Sequence, residues 1–577
     1  MMTLPDSGQS GFGLQFVEGS LTLAGMLVAV GLPRLGAARF EAIERFFGGI
    51  ARKKHQSVLL VGLSVIVLRV AMLPLLPIPL PFVTDDFSFL LSADTFLHGR
   101  LANPTPAMWT HFETIHVTMV PTYNSMYFPA EGLLLALSKA VLGHPWWGLL
   151  LVSGLMCAAI CWMLQAWVPP QWALLGGLLS ALHLGIFSYW VNTYHSAGSI
   201  AALGGALILG ALPRILRDVR FRHLLLLGVG VVLVGFTRPY EGTLLCVPVA
   251  IRFGVWLVRG ENRPSWVRLL KMSAIPLAFI VGAVSWLGYY DYRNFGSATT
   301  LPYTVDRATY AIAPYFIWQK PHPEPQYRQA SVRRFYEFES GEYQSSRSLW
   351  SYVKDPLRAT ALEIHFLCGI AFLPMVFFLP AALRDHRMRF LAFLLCVLAV
   401  GMFPELYLIP HYLAPFTAMF VCLGVQSMRH CRLWLLQNAP VGQAMLRMTL
   451  LVCLLMVALR PFNRLLGMPV HVQPPSDWNF LWYGPDHFGT QRASVEQELE
   501  SLSGKQLAFV QYKTTHWPMD QWVYNSADMN QQKVIWANDM GPNQNEQLMA
   551  HFRDRKAWLI QVDDSPVEVT PYPSMNR

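Results

Sequence analysis

Residues 57–80, SVLLVGLSVIVLRVAMLPLLPIPL, form a long apolar run, and residues 81–99, PFVTDDFSFLLSADTFLHG, follow it with two adjacent carboxylates, Asp85 and Asp86. About 20 mainly apolar residues are enough to cross a bilayer as a helix. The apolar run therefore predicts a transmembrane helix. The segment after it places two ionisable side chains where that helix leaves the membrane.

The composition of the whole chain is that of a membrane protein. Of its 577 residues, 53% are hydrophobic and only 14% are charged, whereas a soluble protein carries about 25% charged residues. Similar apolar runs recur up to residue 461, and the remaining chain is polar. We therefore expect a polytopic α-helical membrane domain followed by a small soluble domain.

Further apolar runs allow the membrane crossings to be counted. The predicted spans number about twelve: 14–33, 57–79, 145–168, 171–190, 197–213, 223–237, 241–258, 272–290, 360–380, 390–406, 411–427 and 446–461. The apolar segment 131–143 is too short to span, and we interpret it as a helix lying in the membrane interface.

Basic residues fix the expected orientation of these spans. They cluster in five loops: 34–55, 214–222, 259–271, 384–389 and 429–432. All five fall on one side if the spans alternate, and loops of this kind are normally cytoplasmic. The net charge of +9 is therefore interpreted as a membrane signature, with no nucleic acid as partner.

The same alternation predicts the domain organisation. Residues 1–56 form a first span and a basic cytoplasmic segment, and 57–461 form the main transmembrane domain with outer loops 81–144 and 291–359. Residues 462–577 form a small extracytoplasmic α/β domain, with strands at 505–512 and 556–563 and a helix at 543–554. The expected location is the bacterial inner membrane, with the tail and the polar loops facing the periplasm.

Polar and ionisable side chains gather at the predicted outer ends of the spans. Besides Asp85 and Asp86, they include His111, Glu113, Tyr123, Tyr127, His195, Arg238, Glu241, His411 and Tyr412. Ionisable groups at membrane depth are costly and indicate function. Structural roles remain open for several: the aspartates are suited to cap a helix, the histidines to form structural hydrogen bonds, and Arg238 to anchor at the interface.

These features resemble GT-C-type glycosyltransferases, with protein O-mannosyltransferases, lipid A aminoarabinose transferases and dolichyl-phosphate-mannose-mannosyltransferase-like proteins as the nearest groups. The resemblance lies in an acidic pair after an early span, a long outer loop and the segment HFETIHVTMVPTYNSMYFPAEG (111–132). The family's acidic pair is Asp-Glu or similar, and this chain has Asp85-Asp86. By position, we favour Asp85 as the matching residue.

The resemblance implies a reaction as well as a fold. A sugar would pass, with inversion, from a polyprenyl-phosphate donor to a hydroxyl or amine of an acceptor glycan, lipid or protein, with Asp85 or Asp86 as general base. Arg238 would bind the leaving phosphate, and the other polar residues named above would line the substrate site. Membrane lipids are the remaining expected partners.

No cofactor is required by this reaction, and no metal ligand is assigned. A divalent metal, Mg²⁺ or Mn²⁺, bridging Asp85 or Asp86 to His111 or His116 remains open. Two other functions also remain open: a lipid or solute transporter or flippase, and a glycan polymerase or ligase that uses a diphosphate-linked donor. Transporters place their binding residues near the bilayer midplane, whereas these residues fall at the outer ends of the spans.

Overall fold

The computed structural model of the protein describes residues 13–195, 197–260, 263–462, 466 and 489–573. The helices of the described membrane part are α1 Leu14–Gly31, α2 Ala37–Arg52, α3 Lys54–Ala71, α4 Thr84–Leu97, α5 Pro129–Leu142, α6 Trp146–Leu164, α7 Pro170–Phe187, α8 Tyr189–Asn192, α9 Gly198–Arg217, α10 Phe221–Gly235, α11 Pro239–Arg259, α12 Trp266–Phe295, α13 Pro302–Tyr310, α14 Ala330–Ser346, α15 Ser351–Cys368, α16 Leu373–Val376, α17 Leu379–Arg384, α18 Arg389–Met402, α19 Thr417–Arg432 and α20 Val441–Leu459.

The described tail adds two helices, α21 Thr490–Ser501 and α22 Pro542–His551. The strands of the outer loop are β1 Asn103–Pro104, β2 Val117–Thr118 and β3 Thr122–Ser125. Those of the tail are β4 Lys505–Gln511, β5 Val534–Asn538, β6 Arg555–Gln561 and β7 Glu568–Pro571.

Every predicted span coincides with a helix or a helix pair. Among the described residues, eight helices have the length and apolar composition to cross a membrane by themselves. They are α1, α3, α6, α7, α9, α11, α12 and α20, the last extended to Phe462. The protein is therefore a multi-pass membrane protein, as the sequence predicts.

The other four predicted spans differ in length or shape. Helix α10 is apolar but has only 15 residues, α18 has 14 and α19 has 16. The predicted span 360–380 is bent: α15 and the turn that follows it meet at 99°. The bend lies at Gly369, whose φ of +70° belongs to the left-handed region that favours glycine.

Helices α6 and α9 form the centre of the bundle. In each, 72% of the apolar window is buried inside the protein, against 11% in α12, which therefore faces lipid. The close packing depends on glycines: a Cβ at Gly205 of α9 would lie 1.8 Å from the carbonyl oxygen of Pro415. The chain at 414–416 thus touches the backbone of α9.

The first outer loop forms a compact layer on one end of the bundle. Helices α4 and α5 pack together, with Gly132 of α5 against Ser92 and Phe96 of α4. The three loop strands pair in the order β1-β3-β2, both pairs antiparallel. Helix α5 exposes Leu137, Val141 and Leu142 and has 14 residues, so it is too short to span the bilayer, as predicted.

The described tail forms a four-stranded sheet in the order β5-β4-β6-β7. Strand β4 is parallel to both neighbours, and β7 runs antiparallel to β6. The predicted strands and helix correspond to β4, β6 and α22. Sequence patterns did not predict α21, β5 or β7. For β5 the reason is that it is a fully buried five-residue strand without apolar-polar alternation.

The tail packs directly on the first outer loop. Tyr524 stacks on Phe87 of α4 with ring centroids 4.5 Å apart, and its hydroxyl donates to the Ile115 carbonyl over 3.0 Å. The main chain of Ala527 donates to the Asp94 carboxylate over 2.8 Å. These contacts place the described tail and the loop that carries the aspartates on the same face.

Candidate active site

Asp86 is a fully buried residue in the first turn of α4. Its Oδ2 accepts from the main-chain N–H groups of Phe82 at 3.0 Å and Val83 at 3.4 Å, which is the geometry of a helix cap. Its Oδ1 accepts from the main chain of Tyr194 at 2.8 Å and lies 2.9 Å from Nδ1 of His195. Asp86 therefore ties α4 to the turn that follows α8.

Asp85 points in another direction, and its side chain remains 23% exposed. It accepts hydrogen bonds from the hydroxyls of Tyr127 and Thr84, and Nδ1 of His116 lies 3.6 Å from its Oδ1. Burial opposes the charged form, but His116, His195 and the two hydroxyls outweigh it and lower the pKa of Asp85. The carboxylate is therefore ionised at neutral pH and accessible from outside the fold.

His116 is the residue next to Asp85 that the sequence analysis considered only as a metal partner. Its Nδ1 lies 3.0 Å from the Thr84 hydroxyl and 3.2 Å from the Tyr127 hydroxyl. Its main-chain carbonyl accepts from Ser88 over 2.7 Å, which fixes the residue despite its positive φ of 63°. Burial and the nearby Arg307 outweigh Asp85 and lower the pKa of His116, so the ring is neutral.

Arg238 is the buried N-cap residue of α11. Its guanidinium lies 4.3 Å from the centre of the Tyr412 ring, a cation–π geometry. Burial raises the pKa of Tyr412; the charge of Arg238 acts against this increase and the charge of Asp85 adds to it. Both charges act in the same way on the pKa of Tyr303, so the charges of Asp85 and Arg238 are both felt at the same pair of tyrosines.

Glu241 follows Arg238 by one turn and is also buried. Burial and the charge of Glu241 raise the pKa of Glu405, which Arg238 lowers. Glu405 lies in the turn that leads to Tyr412. The carboxyl groups of Glu241 and Glu405 are therefore both close enough to Arg238 to interact with its charge.

His195 and His411 lie beside this group. The His195 ring stacks on Tyr189 with centroids 5.6 Å apart, and the Tyr189 hydroxyl is 2.8 Å from Nδ1 of His411. Burial, Arg238 and His195 lower the pKa of His411. Burial also opposes the charge of His195, but Asp86, Asp85 and Glu131 raise its pKa above the usual value. His195 is therefore the more readily protonated member of the pair.

Three predicted site residues lie elsewhere. The Tyr123 hydroxyl donates to the Asn525 carbonyl of the tail over 2.8 Å. His111 is buried, and its main-chain carbonyl accepts from Asn538 of the tail over 3.1 Å. The Glu113 carboxylate accepts from Tyr310 over 3.2 Å and lies 3.5 Å from Arg328. These residues join the outer loop to the tail and to the second loop, because the loop folds back beneath the tail sheet.

Two residues absent from the sequence-based candidates, Tyr303 and Glu131, belong to the group. The Tyr303 ring of α13 lies 5.5 Å from that of Tyr127. Glu131 is buried in the first turn of α5, and burial raises its pKa to about 8. Their segments are rich in polar residues, but no spacing pattern distinguishes these two or His116 from their neighbours.

The same geometry bears on the possible metal ion between an aspartate of the acidic pair and His111 or His116. Among the described residues, no three His, Cys, Asp or Glu side chains are grouped closely enough to hold a metal ion. The His116 ring approaches Asp85, while the His111 side chain is buried against the tail. Of the two histidines considered as alternatives, His116 is therefore the one that lies beside Asp85.

Comparison with protein-family models and with curated proteins gives no match. Among solved structures, ArnT from Cupriavidus metallidurans in the apo state is 12% identical, with a TM-score of 0.49 over 87% of this chain and 93% of that chain. ArnT bound to undecaprenyl phosphate is 13% identical, with a TM-score of 0.47 over 87% and 92%. The Archaeoglobus fulgidus oligosaccharyltransferase in complex with Zn and sulfate is 10% identical, with a TM-score of 0.44 over 88% and 67%. At these values, the functional interpretation rests on the residues of this chain.

Proposed function

We propose that this protein is an inverting membrane glycosyltransferase that moves a sugar from a polyprenyl-phosphate donor to an acceptor on the extracytoplasmic side. The observation that carries the proposal is the surroundings of Asp85. Its ionised carboxylate is accessible, held between Tyr127 and His116, and it shares the tyrosines Tyr303 and Tyr412 with the Arg238 cation. A base and a buried cation near one group of tyrosines suit an acceptor that loses a proton and a leaving group that is an anion.

The roles follow from the charges that the reaction moves. The acceptor hydroxyl or amine gives its proton to Asp85 while its oxygen or nitrogen attacks the anomeric carbon. The bond from that carbon to the phosphate oxygen breaks, and the polyprenyl phosphate leaves with the electron pair. Arg238 stabilises the growing charge, because a guanidinium presents several donors to a phosphate. The cation on His195 adds to this stabilisation.

The neighbours of Asp85 position it for this work. Tyr127 and Thr84 both donate to the carboxylate, so its orientation is fixed before substrate binds. Because both hydroxyls donate to Asp85, the Nδ1 of neutral His116 that faces them carries the proton and donates to their oxygens, which holds them in place. Asp86 has all its bonds inside the protein, and we assign it a positioning role instead of the role of base.

The position of the group argues against transport. The residues lie at one end of α9 and α11 and in the outer turns, whereas transporters bind near the bilayer midplane. A glycan polymerase or ligase would use the same base with a donor that leaves as a diphosphate. The two reactions differ in the lipid product.

The experiment that tests the proposal measures that product. Purified protein in lipid vesicles is supplied with polyprenyl-phosphate hexoses and pentoses, and free polyprenyl phosphate is quantified by mass spectrometry. Wild type should release it in the presence of an acceptor, and Asp85→Asn should be slower by about 10²–10⁴-fold, the usual contribution of a general base. Equal rates for Asp85→Asn would exclude Asp85 as the base. Turnover only with diphosphate-linked donors would favour the polymerase or ligase, and movement of donor without release would favour the flippase.

A further inference from the structure

A second site lies at the other end of the bundle. A groove of about 530 Å³ opens between the ends of α9, α11 and α18. Its lining contains four arginines, Arg217, Arg252, Arg387 and Arg389, and no carboxylate. Four arginines around one opening, without a carboxylate in the lining, make the groove suited to bind an anion.

The groove is separate from the candidate active site. Helix α9 begins beside His195 and ends at Arg217, 20 residues later, and a helix of that length spans about 30 Å. Helix α11 likewise runs from Arg238 toward Arg252, and α18 begins at Arg389 and leads toward Glu405. The groove is therefore about one hydrocarbon thickness away, at the end where the basic loops predict the cytoplasm.

The arginines of the groove differ from other arginines at this end. Arg220 is neutralised by Asp218 at 2.6 Å, and Arg432 by Glu44 at 2.8 Å. Among the described residues, no carboxylate forms an ion pair with the four groove arginines. Asp385, next to the groove, accepts from Gln426 over 2.7 Å and lies 3.4 Å from His386. It is thus already engaged.

Apolar side chains form the rest of the lining. Leu212, Leu216 and Trp167 lie on one side, and Phe390 and Phe393 of α18 on the other. Phe393 is 52% exposed and belongs to an apolar helix. A soluble anion would bind the arginines and leave these side chains uncovered, whereas a lipid would use both.

We propose that this groove binds an anionic phospholipid of the cytoplasmic leaflet. The arginines take the headgroup phosphate, and an acyl chain lies along Phe390 and Phe393. Arginine donors suit phosphate oxygens, and basic pockets between transmembrane helices are suited to anionic lipid headgroups. The proposal does not depend on the transferase reaction.

The test is lipid binding by the full-length protein, measured by native mass spectrometry during titration with dioleoyl phosphatidylglycerol. The groove variant is Arg252→Gln/Arg387→Gln/Arg389→Gln. The matched control is Arg39→Gln/Arg45→Gln/Arg52→Gln, which removes three exposed charges from α2 at the same end of the molecule. Each arginine should contribute about fivefold to binding, so the groove variant should bind about 100-fold more weakly. The control should keep most of the wild-type affinity.

Three results would overturn the proposal. Equal weakening in both variants would mean that charge at this end acts without a site. Equal binding of dioleoyl phosphatidylcholine would remove the requirement for an anion, and equal binding of glycerol phosphate would remove the requirement for a lipid. A phosphatidylglycerol with a photoreactive acyl chain gives a readout on unaltered protein. It should label the peptide that contains Phe390 and Phe393, and labelling confined to other helices would also contradict the assignment.

Discussion

Each oxygen of the Asp86 carboxylate faces two N–H groups: Phe82 and Val83 on one side, Tyr194 and His195 on the other. An asparagine can offer only one carbonyl oxygen, so its NH₂ group must face two donors. Asp86→Asn should therefore destabilise the protein by about 3 kcal/mol, as expected when one member of a buried charged pair is removed.

Thermal unfolding in detergent checks this prediction, and Asp85→Asn is its matched control. Asp85 is partly exposed, and its two oxygens accept from the hydroxyls of Tyr127 and Thr84, one each. In the Asp85→Asn variant the amide oxygen accepts from one hydroxyl, and the other hydroxyl can rotate and accept from the NH₂ group. Asp85→Asn should thus keep the wild-type midpoint and lose the reaction. Equal loss of stability in both variants would contradict the different roles assigned to the two residues.

His195 gives a prediction for pH dependence. Its pKa is raised above the usual 6.5 by Asp86, Asp85 and Glu131, against the effect of burial. A raised histidine pKa stabilises the fold fully below the unfolded-state pKa, and this stabilisation is lost as pH rises through the folded-state pKa. Both the unfolding midpoint and the reaction rate should therefore decrease as pH rises above the usual histidine pKa of about 6.5 and through the raised pKa of His195.

The check compares pH profiles of wild type and His195→Gln. The variant should be slower at neutral pH, and its rate should lack the alkaline decrease attributable to this ring. Arg238 does not titrate in this range, and His411 is held neutral by its lowered pKa. Glu131, whose pKa is about 8, gains negative charge over the same range, so only the part of the decrease that disappears in His195→Gln is assigned to His195. If His195→Gln kept the same alkaline decrease, another group would be responsible.

The sequence predicted the acidic pair, and position alone favoured Asp85 as its catalytic member; the bonds that distinguish the two aspartates were not predictable. The bonds that bury Asp86 come from Tyr194 and His195, more than 100 residues away. No local pattern encodes such a pairing. For the same reason His111 and Tyr123 were assigned to the substrate site, although the fold turns them toward the tail.

At the scale of elements, Gly205 of α9 connects the helical core to the site. Any side chain there would meet the carbonyl of Pro415, only 1.8 Å from a Cβ. Pro415 follows the turn that holds His411 and Tyr412. Gly205→Ala should displace this turn, lower the unfolding midpoint by several degrees and reduce turnover, because Tyr412 carries the Arg238 guanidinium on its ring.

Gly254 of α11 is the matched control, since no atom lies within 4 Å of a Cβ built there. Alanine is a better helix former than glycine by about 0.5–1 kcal/mol, so Gly254→Ala should be neutral or slightly stabilising. Wild-type behaviour of Gly205→Ala would show that the contact with Pro415 is not tight in solution.

Most helices at this scale were predictable, because hydrophobic length alone identifies a membrane span. The bend at Gly369 was not, since the flanking residues continue the apolar run and only the backbone conformation reveals the break. The tail shows the converse: β4 and β6 were predicted from their composition, whereas β5 is a short apolar run without a period.

At the scale of the whole molecule, the tail stabilises the loop that carries the site. Tyr524 stacks on Phe87, two residues after Asp85, and the Arg492 guanidinium lies 4.6 Å from the centre of the Phe87 ring. The chain must therefore place the tail and the first loop on one face of the membrane. Charge alternation in the sequence led to the same arrangement by an independent route.

The orientation of that face is the last prediction. We expect the tail to lie outside the cell membrane, because the basic loops lie at the opposite end of the spans. Ser503→Cys, exposed in the tail, should react with an impermeant maleimide when the outer membrane alone is opened, in a background without the eight native cysteines. Ala38→Cys, exposed in the basic segment, should react only after the inner membrane is permeabilised. The reverse order would invert every span and place Asp85 in the cytoplasm, where a donor lipid facing outward could not reach it.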